Sequence, residues 1–243
     1  MKTVVLGDVH GRTIWKDILD KEQPDRTVFL GDYVSSHEAI PGKTQIHNLL
    51  EILDLKEHRP DEVFLLRGNH DLQHLGYSWA ECSGYNPAVA MEMPTDRFLQ
   101  LTQWTVVDDE LRTVFSHAGI SKIWMENSDI TDIHDINFMK PSELFGFIPN
   151  SWDDYSGDSV TQSPTWIRPW ALTKCNISGW KQVVGHTPVR QKIFNIAEFA
   201  QSDEDIWRCD ALALKQYLVI DNGAFKVKKI TSFPSPHNVP PLH

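Results

Sequence analysis

Five short stretches of this chain carry residues able to hold a metal ion, and each lies just beyond an apolar run. In chain order they are Gly7-Asp8-Val9-His10-Gly11, Gly31-Asp32-Tyr33, Gly68-Asn69-His70-Asp71, Ser116-His117-Ala118-Gly119 and Gly185-His186-Thr187. Carboxylates and imidazoles suit manganese, iron or zinc, and a carboxamide oxygen can complete a shell. Asp8 and His10, two apart on a turn, can chelate one ion. Asp32 is a candidate bridge to a second ion, which Asn69, His117 and His186 can hold. Two adjacent divalent ions point to attack of water on a phosphate ester, because such a pair lowers the pKa of bound water and clamps phosphate and nucleophile in line. The leaving alkoxide then needs a proton, and His70, beside Asn69, is the natural general acid. The expected cofactors are two divalent metal ions, Mn2+ first, with Fe or Zn fitting the same donors. A single Gly-Asp or Asn-His after a strand reads as an ordinary turn, whereas five such rims in order, each with a suitable ligand type, do not. His47, His58, His134 and His237 stand alone and are given no role.

Strands must present these residues. The β-like runs before them are residues 3–6, 27–30, 62–66, 113–115 and 182–184. A strand that ends in Gly and then a carboxylate or imidazole delivers a ligand at the rim of a sheet. Between the first two runs, Ile14, Ile18 and Leu19 recur at helical spacing, and Pro24 acts as a stop. Between the second and third, residues 44–58 place Ile46, Leu49, Leu50, Leu53 and Leu55 on one apolar face, closed by Pro60. This β-α-β-α-β order predicts an α/β fold with parallel strands under covering helices. Residues 72–94 are expected to loop over the rim and 95–104 to form a short helix. Residues 104–107 and 111–116 read as a hairpin around Asp108-Asp109-Glu110 that opens a second, more antiparallel sheet. From 121 to 181 the pattern weakens, with breaks at Pro141, Pro149, Pro164 and Pro169, and reads as an irregular insertion overhanging the site. Strands return at 182–184, 192–195, 207–209, 217–221 and 224–230. The expected organisation is a single domain over 1–232 carrying that insertion, followed by a Pro-rich tail at 233–243.

Composition narrows the function classes. The chain has 243 residues, enough for one substantial core. Its formal charge of −10, with no lysine- or arginine-rich run, excludes a broad electrostatic grip on duplex nucleic acid. Cys82, Cys175 and Cys209 are odd in number and far apart, so neither a disulfide framework nor a zinc knuckle is indicated, and a reducing compartment fits. There is no signal-peptide core after Lys2 and no apolar stretch near the roughly 20 residues of a membrane span. The expectation is a soluble, cytoplasmic protein without a membrane partner.

Taken together, Gly-Asp-Val-His-Gly, Gly-Asp-Tyr-Val, Phe-Leu-Leu-Arg-Gly-Asn-His-Asp, His-Ala-Gly and Gly-His-Thr resemble the motifs of calcineurin-like metallophosphoesterases. They are most similar to the phosphoprotein phosphatase branch and its bacterial and phage relatives, over residues 2 to about 185. The resemblance implies a four-layer α/β/β/α sandwich of two mixed sheets flanked by helices, with a dimetal site at the strand C-termini. It implies that Asp8, His10 and Asp32 bind the first metal, that Asp32, Asn69, His117 and His186 bind the second, and that His70 is the acid. Two departures stand out. Position 188 is Pro, where many phosphodiesterases of the superfamily carry the last His of Gly-His-x-His. Tyr33-Val34-Ser35-Ser36 replaces Tyr-Val-Asp-Arg-Gly, in which the Asp orients the catalytic His and the Arg grips phosphate. Glu38 or Asp71 is then expected to orient His70. Arg168, the only arginine in the insertion, is the candidate to hold phosphate with its planar fork, a structural ion pair being the other reading of it, while Arg67 is expected to brace the rim. The leading expectation is a serine/threonine-phosphatase-like phosphomonoesterase acting on a phosphorylated substrate. The alternative is a nucleotide hydrolase similar to symmetrical dinucleoside tetraphosphatases, with Trp79, Tyr85, Trp124, Trp152, Trp166 and Trp170 as candidates to stack a base. A non-catalytic scaffold is a third reading, opposed by the presence of all six metal positions and His70.

Overall fold

The computed structural model describes residues 1–77, 82–141, 156–188, 206–209, 211, 214 and 216–230. Strands β1 (Lys2–Leu6), β2 (Arg26–Phe29) and β3 (Val63–Leu66) pair in parallel, joined through helices α1 (Ile14–Glu22) and α2 (Gly42–His58). Beyond β3 lies β4 (Thr102–Gln103), while β9 (Gln216–Asp221) and β10 (Ala224–Lys229) extend the other edge antiparallel, giving the order β10-β9-β1-β2-β3-β4. The second sheet runs β5 (Thr105–Asp108), β6 (Thr113–Ser116), β7 (Lys181–Val184) and β8 (Ile206–Arg208). Its first pair is the expected antiparallel hairpin, and its remaining pairs are parallel.

Period-two alternation along the strands sets the layers. In β1, Val4 and Leu6 pack under the helices with Trp15, Ile18, Leu49 and Leu53. Val5 points the other way, into the space between the sheets, with Val28, Leu30, Phe115, Val183 and Ile220. Phe115 faces this shared core while its neighbour Val114 packs outward with Ile120, Trp124 and Ile136. Val184 likewise packs outward, with Ile167, Ala171 and Leu172. Helices, sheet, sheet and helices therefore form four layers, as the motif resemblance implies.

The expected loop at 72–94 is more ordered than its composition suggests. Helix α3 (Asn69–His74) starts directly on the third motif, and α4 (Pro87–Glu92) follows, its Asn86 cap accepting a hydrogen bond from the Ala88 N–H at 3.0 Å. Six-residue helices show too few turns for periodicity to register. Helix α5 (Thr95–Leu101) stops three residues before the expected end because Thr102 and Gln103 pair with β3. Within 121–181, the described residues include α6 (Lys122–Asn127), a 3-10 turn at Ile133–Phe138 and α7 (Pro169–Leu172). The expected strand at 192–195, the tail at 233–243, Trp79 and Trp152 lie outside the described residues. No described helix is long and apolar enough to cross a membrane.

Glu22 ties the sheet edge to α1. It is 4% exposed, and its carboxylate accepts hydrogen bonds from Lys228 Nζ at 2.7 and 2.8 Å and from the Tyr217 hydroxyl at 2.8 Å, with Lys2 Nζ 2.9 Å away. Burial alone would raise its pKa, but these donors outweigh it and hold the carboxyl at about 2, against an ordinary 4.5. A depressed carboxyl pKa contributes stability that is complete above the unfolded value and is lost as pH falls from about 4.5 toward 2. Glu22→Gln is expected to cost about 2 kcal/mol at pH 7, less than a fully buried pair because both lysines keep solvent contact. Urea titration at pH 7 and pH 3 checks this: the gap between variant and wild type should narrow at the lower pH.

Candidate metal centre

Five strand ends meet on one rim. Asp8 and His10 follow β1, Asp32 follows β2, Asn69 follows β3, His117 follows β6 and His186 follows β7. Three of these residues, His10, Asp32 and His186, hold left-handed backbone at φ 47°, 53° and 59°. Non-glycine residues there cost of order 1–3 kcal/mol each and persist where the surroundings fix them. The fixing contacts are made by main-chain N–H groups. The His10 N–H donates to Asp32 O at 2.7 Å, the Gly185 N–H to His117 O at 2.7 Å, and the His186 N–H to Asp8 Oδ1 at 2.9 Å. Two glycines give the carboxylates room: a Cβ on Gly68 would strike Asp32 Oδ1, and one on Gly185 would strike Asp8 Oδ1.

The side chains converge. One donor atom each from Asp8, His10 and Asp32 lies within 4.8 Å of the others. His10 Nε2 is 3.8 Å from Asp8 Oδ2 and 4.0 Å from Asp32 Oδ2, and His117 Nε2 is 3.5 Å from Asp32 Oδ2. Asn69 Oδ1 faces His117 Nε2 at 2.9 Å and His186 Nδ1 at 3.0 Å. Second contacts aim these donors. His10 Nδ1–H donates to Val34 O at 2.9 Å and His117 Nδ1–H to Leu30 O at 2.8 Å, which leaves each Nε2 lone pair directed inward. Asn69 Nδ2–H donates to Cys82 Sγ at 3.3 Å, which turns Oδ1 toward the imidazoles. A lone-pair nitrogen and a carbonyl oxygen held face to face suit a cation as neighbouring ligands.

Burial sets the protonation of the cluster. It lowers His10 to about 3 and His117 to about 4, and moves His70 and His186 well below the usual imidazole range, so all four are neutral at pH 7, the form in which His10, His117 and His186 can ligate. It pushes Asp32 up to about 8, a carboxylate that lacks enough compensating positive charge from the chain alone. Cys82 is pushed up to about 12 and stays a thiol, so it holds Asn69 rather than offering a thiolate. Neutral imidazoles around desolvated carboxylates and one carboxamide oxygen fit divalent cations of the manganese, iron and zinc kind.

Residues 1–221 match the calcineurin-like phosphoesterase family. The chain belongs to that family. Among curated proteins it is 33% identical over 172 residues to the serine/threonine-protein phosphatase PP2A-like PPG1 of Saccharomyces cerevisiae, covering 66% of this chain and 41% of that protein. It is 30% identical over 130 residues to the serine/threonine-protein phosphatase 6 catalytic subunit of Drosophila melanogaster, covering 48% of this chain and 39% of that protein. The chain thus spans about two fifths of the length of these relatives. Two solved structures share its fold. A serine/threonine phosphatase from Saccharomyces cerevisiae with similarity to human phosphatase PP5 gives a TM-score of 0.60 at 13% identity, covering 97% of this chain and 82% of the other. A cold-active protein tyrosine phosphatase gives 0.56 at 16% identity, covering 93% and 78%.

Around the donors, the chain departs from the expectations for the supporting residues. Asp71 does not orient His70. Its buried carboxylate accepts the N–H groups of Asp32 and Tyr33, each at 2.8 Å, and of Gly68 at 2.9 Å, so it clamps the β2 and β3 rim turns together. Glu38 is turned away as well, accepting from Arg12 Nε at 3.1 Å. His70 Nδ1 is buried without a hydrogen-bond partner among the described residues, while its Nε2 lies 3.9 Å from Asp32 Oδ2. Arg67 braces the rim as expected, donating to Thr102 and Leu99 and lying 4.5 Å over the Trp104 ring. Arg168 reaches the site from the insertion. It lines the same cavity of about 280 Å³ as Asp8, Asp32 and His70, held at distances of 3.3–3.5 Å by Ser156 O, His186 O and Thr187 Oγ1. Sequence reasoning passed over His37, whose ring centroid is 5.1 Å from that of His10 and 5.8 Å from that of His70. The available signal was its position, directly after the two serines that break the family pattern.

Proposed function

We propose that this phosphoesterase hydrolyses phosphate monoesters with two divalent metal ions, as a serine/threonine-phosphatase-like enzyme. The observation that carries this reading is a cavity lined by Asp8, His10, Asp32, Asn69 and His186, with His117 behind it at 3.5 Å from Asp32 Oδ2 and with Arg168 and His70 on its wall. Asp8, His10 and Asp32 would hold one ion, and Asp32, Asn69, His117 and His186 the other. When bound, such a pair acidifies water and neutralises phosphate charge. The chain's own residues supply the rest. Arg168 grips phosphoryl oxygens, the buried rim excludes bulk water, and His70 delivers a proton from Nε2 to the leaving oxygen. Pro188, in place of a further imidazole, favours monoesters over diesters by the family pattern. The proposed substrate is a phosphoprotein, met in the cytoplasm.

The test is phosphate release by protein loaded with Mn2+, from a phosphopeptide, mononucleotides, diadenosine tetraphosphate and bis-p-nitrophenyl phosphate, with metal content measured alongside. Selective turnover of the phosphopeptide with about two bound ions is expected. Preference for the dinucleotide would make the protein a nucleotide hydrolase, and two ions without any turnover would make it a scaffold. Arg168→Ala is expected to raise KM for the phosphopeptide roughly ten- to a hundredfold, since hydrogen bonds to charged groups contribute about 1.5–3 kcal/mol. Metal content should stay unchanged.

A further inference from the structure

The loop after β2 has lost the family's phosphate-gripping arginine, and its remaining polar groups are committed elsewhere. Ser35, held in the left-handed region at φ 65°, places its hydroxyl 3.4 Å from His74 Nδ1. The Ser36 hydroxyl accepts the Glu38 N–H at 3.1 Å. Arg12, which reaches this loop, donates to Glu38 and to Val9 O. Among residues 33–38, His37 is the one that lines the site cavity, and it is exposed. One ring nitrogen from each of His10, His37 and His70 lies within 4.8 Å of the others. Donors that bind neighbouring oxygens of one phosphate, each at about 2.8 Å, sit about 4–5 Å apart.

We propose that His37 is a second phosphate-contacting residue: it donates a hydrogen bond to a phosphoryl oxygen from the loop after β2, while Arg168 approaches from the insertion. The two replace, from different elements, what one arginine does in the family pattern. This assignment rests on the phosphomonoesterase reading for its substrate class. The same three imidazoles could in principle share a metal, but His10 Nε2 is directed at Asp8 and Asp32. His37 stands on the solvent side of that ring, where a substrate enters. Because His37 is exposed, its replacement leaves the core and the rim turns untouched.

Binding of inorganic phosphate to the Mn2+-loaded protein, followed by titration calorimetry, tests the assignment without turnover. His37→Ala is expected to weaken phosphate binding about tenfold and to raise KM for a phosphopeptide more than it lowers kcat, with about two ions retained. His37→Gln, which keeps an N–H donor, should recover part of the affinity. Unchanged phosphate affinity in His37→Ala would overturn the proposal. So would loss of one metal equivalent, which would make His37 a ligand instead, and so would a wild-type protein that binds no phosphate. If the wild type binds phosphate in a His37-dependent way yet hydrolyses no ester, the phosphatase reading fails while the contact stands.

Discussion

Asp32→Asn is expected to lower phosphate release by about a thousandfold or more, equivalent to ~4 kcal/mol in the barrier, and to leave the protein with fewer than two bound ions. Asp32 faces several members of the cluster at once. Asp32 Oδ2 lies within 4.0 Å of His10, His70 and His117, and Oδ1 accepts the His70 N–H at 3.0 Å. An amide keeps that last hydrogen bond but loses the negative charge that would draw two cations together. The metal-free protein offers an independent measurement. Burial raises Asp32 to about 8 from an ordinary 3.8, so between those values the folded state holds a proton that the unfolded chain has released. Stability of the metal-free fold must therefore fall as pH rises toward 8. Histidines complicate the lower half of that window, since His10 and His117, held near 3 and 4, change the proton balance only below about 6.5. Asp71, raised to about 7 by burial, adds to the fall only up to that value. Thermal melts in EDTA from pH 6.5 to 8 isolate Asp32 best. The wild-type midpoint should drop across this range and the Asp32→Asn midpoint should drop less. Equal slopes, or normal turnover by the variant, would remove Asp32 from the centre of the site.

The donors were legible in the sequence because a strand terminus is a local signal. Thr3-Val4-Val5-Leu6 followed by Gly7-Asp8 needs no distant partner to be read as a rim. The hairpin formed by β5 and β6 was legible for the same reason. What escaped depends on contacts far apart in the chain. Left-handed backbone at His10, Asp32 and His186 is imposed by partners such as Asp32 O for His10 and Asp8 Oδ1 for His186, the latter 178 residues away. Asp71 sat in the right motif but was given the wrong task. Its neighbours in sequence suggested chemistry, whereas three main-chain N–H groups claim its oxygens. His37 escaped because a single imidazole in a loop carries no period and no motif, and only the closed fold brings it beside His10 and His70.

His70→Asn is expected to keep both metal ions and to slow phosphopeptide hydrolysis about a hundred- to a thousandfold, within the range that a positioned acid contributes. With p-nitrophenyl phosphate the loss should stay below about tenfold, because nitrophenolate leaves without a proton. The geometry makes this separation sharper than the sequence alone would. His70 Nδ1 has no hydrogen-bond partner among the described residues, and its ring stands edge-on to His10 with centroids 5.1 Å apart. The ring is thus positioned by packing and by its N–H anchor on Asp32, with no carboxylate behind it. Burial and the neighbouring imidazoles hold His70 well below its ordinary pKa, and on the proposed mechanism the negative charge of a bound phosphate would offset that cost. On that mechanism the acid is assembled by substrate binding, and the activity of His70→Asn relative to wild type should be most depressed for substrates with the most basic leaving groups. A linear dependence of log kcat on leaving-group pKa in the variant, with a flat line in the wild type, would establish the role. Parallel lines would instead place His70 in phosphate binding.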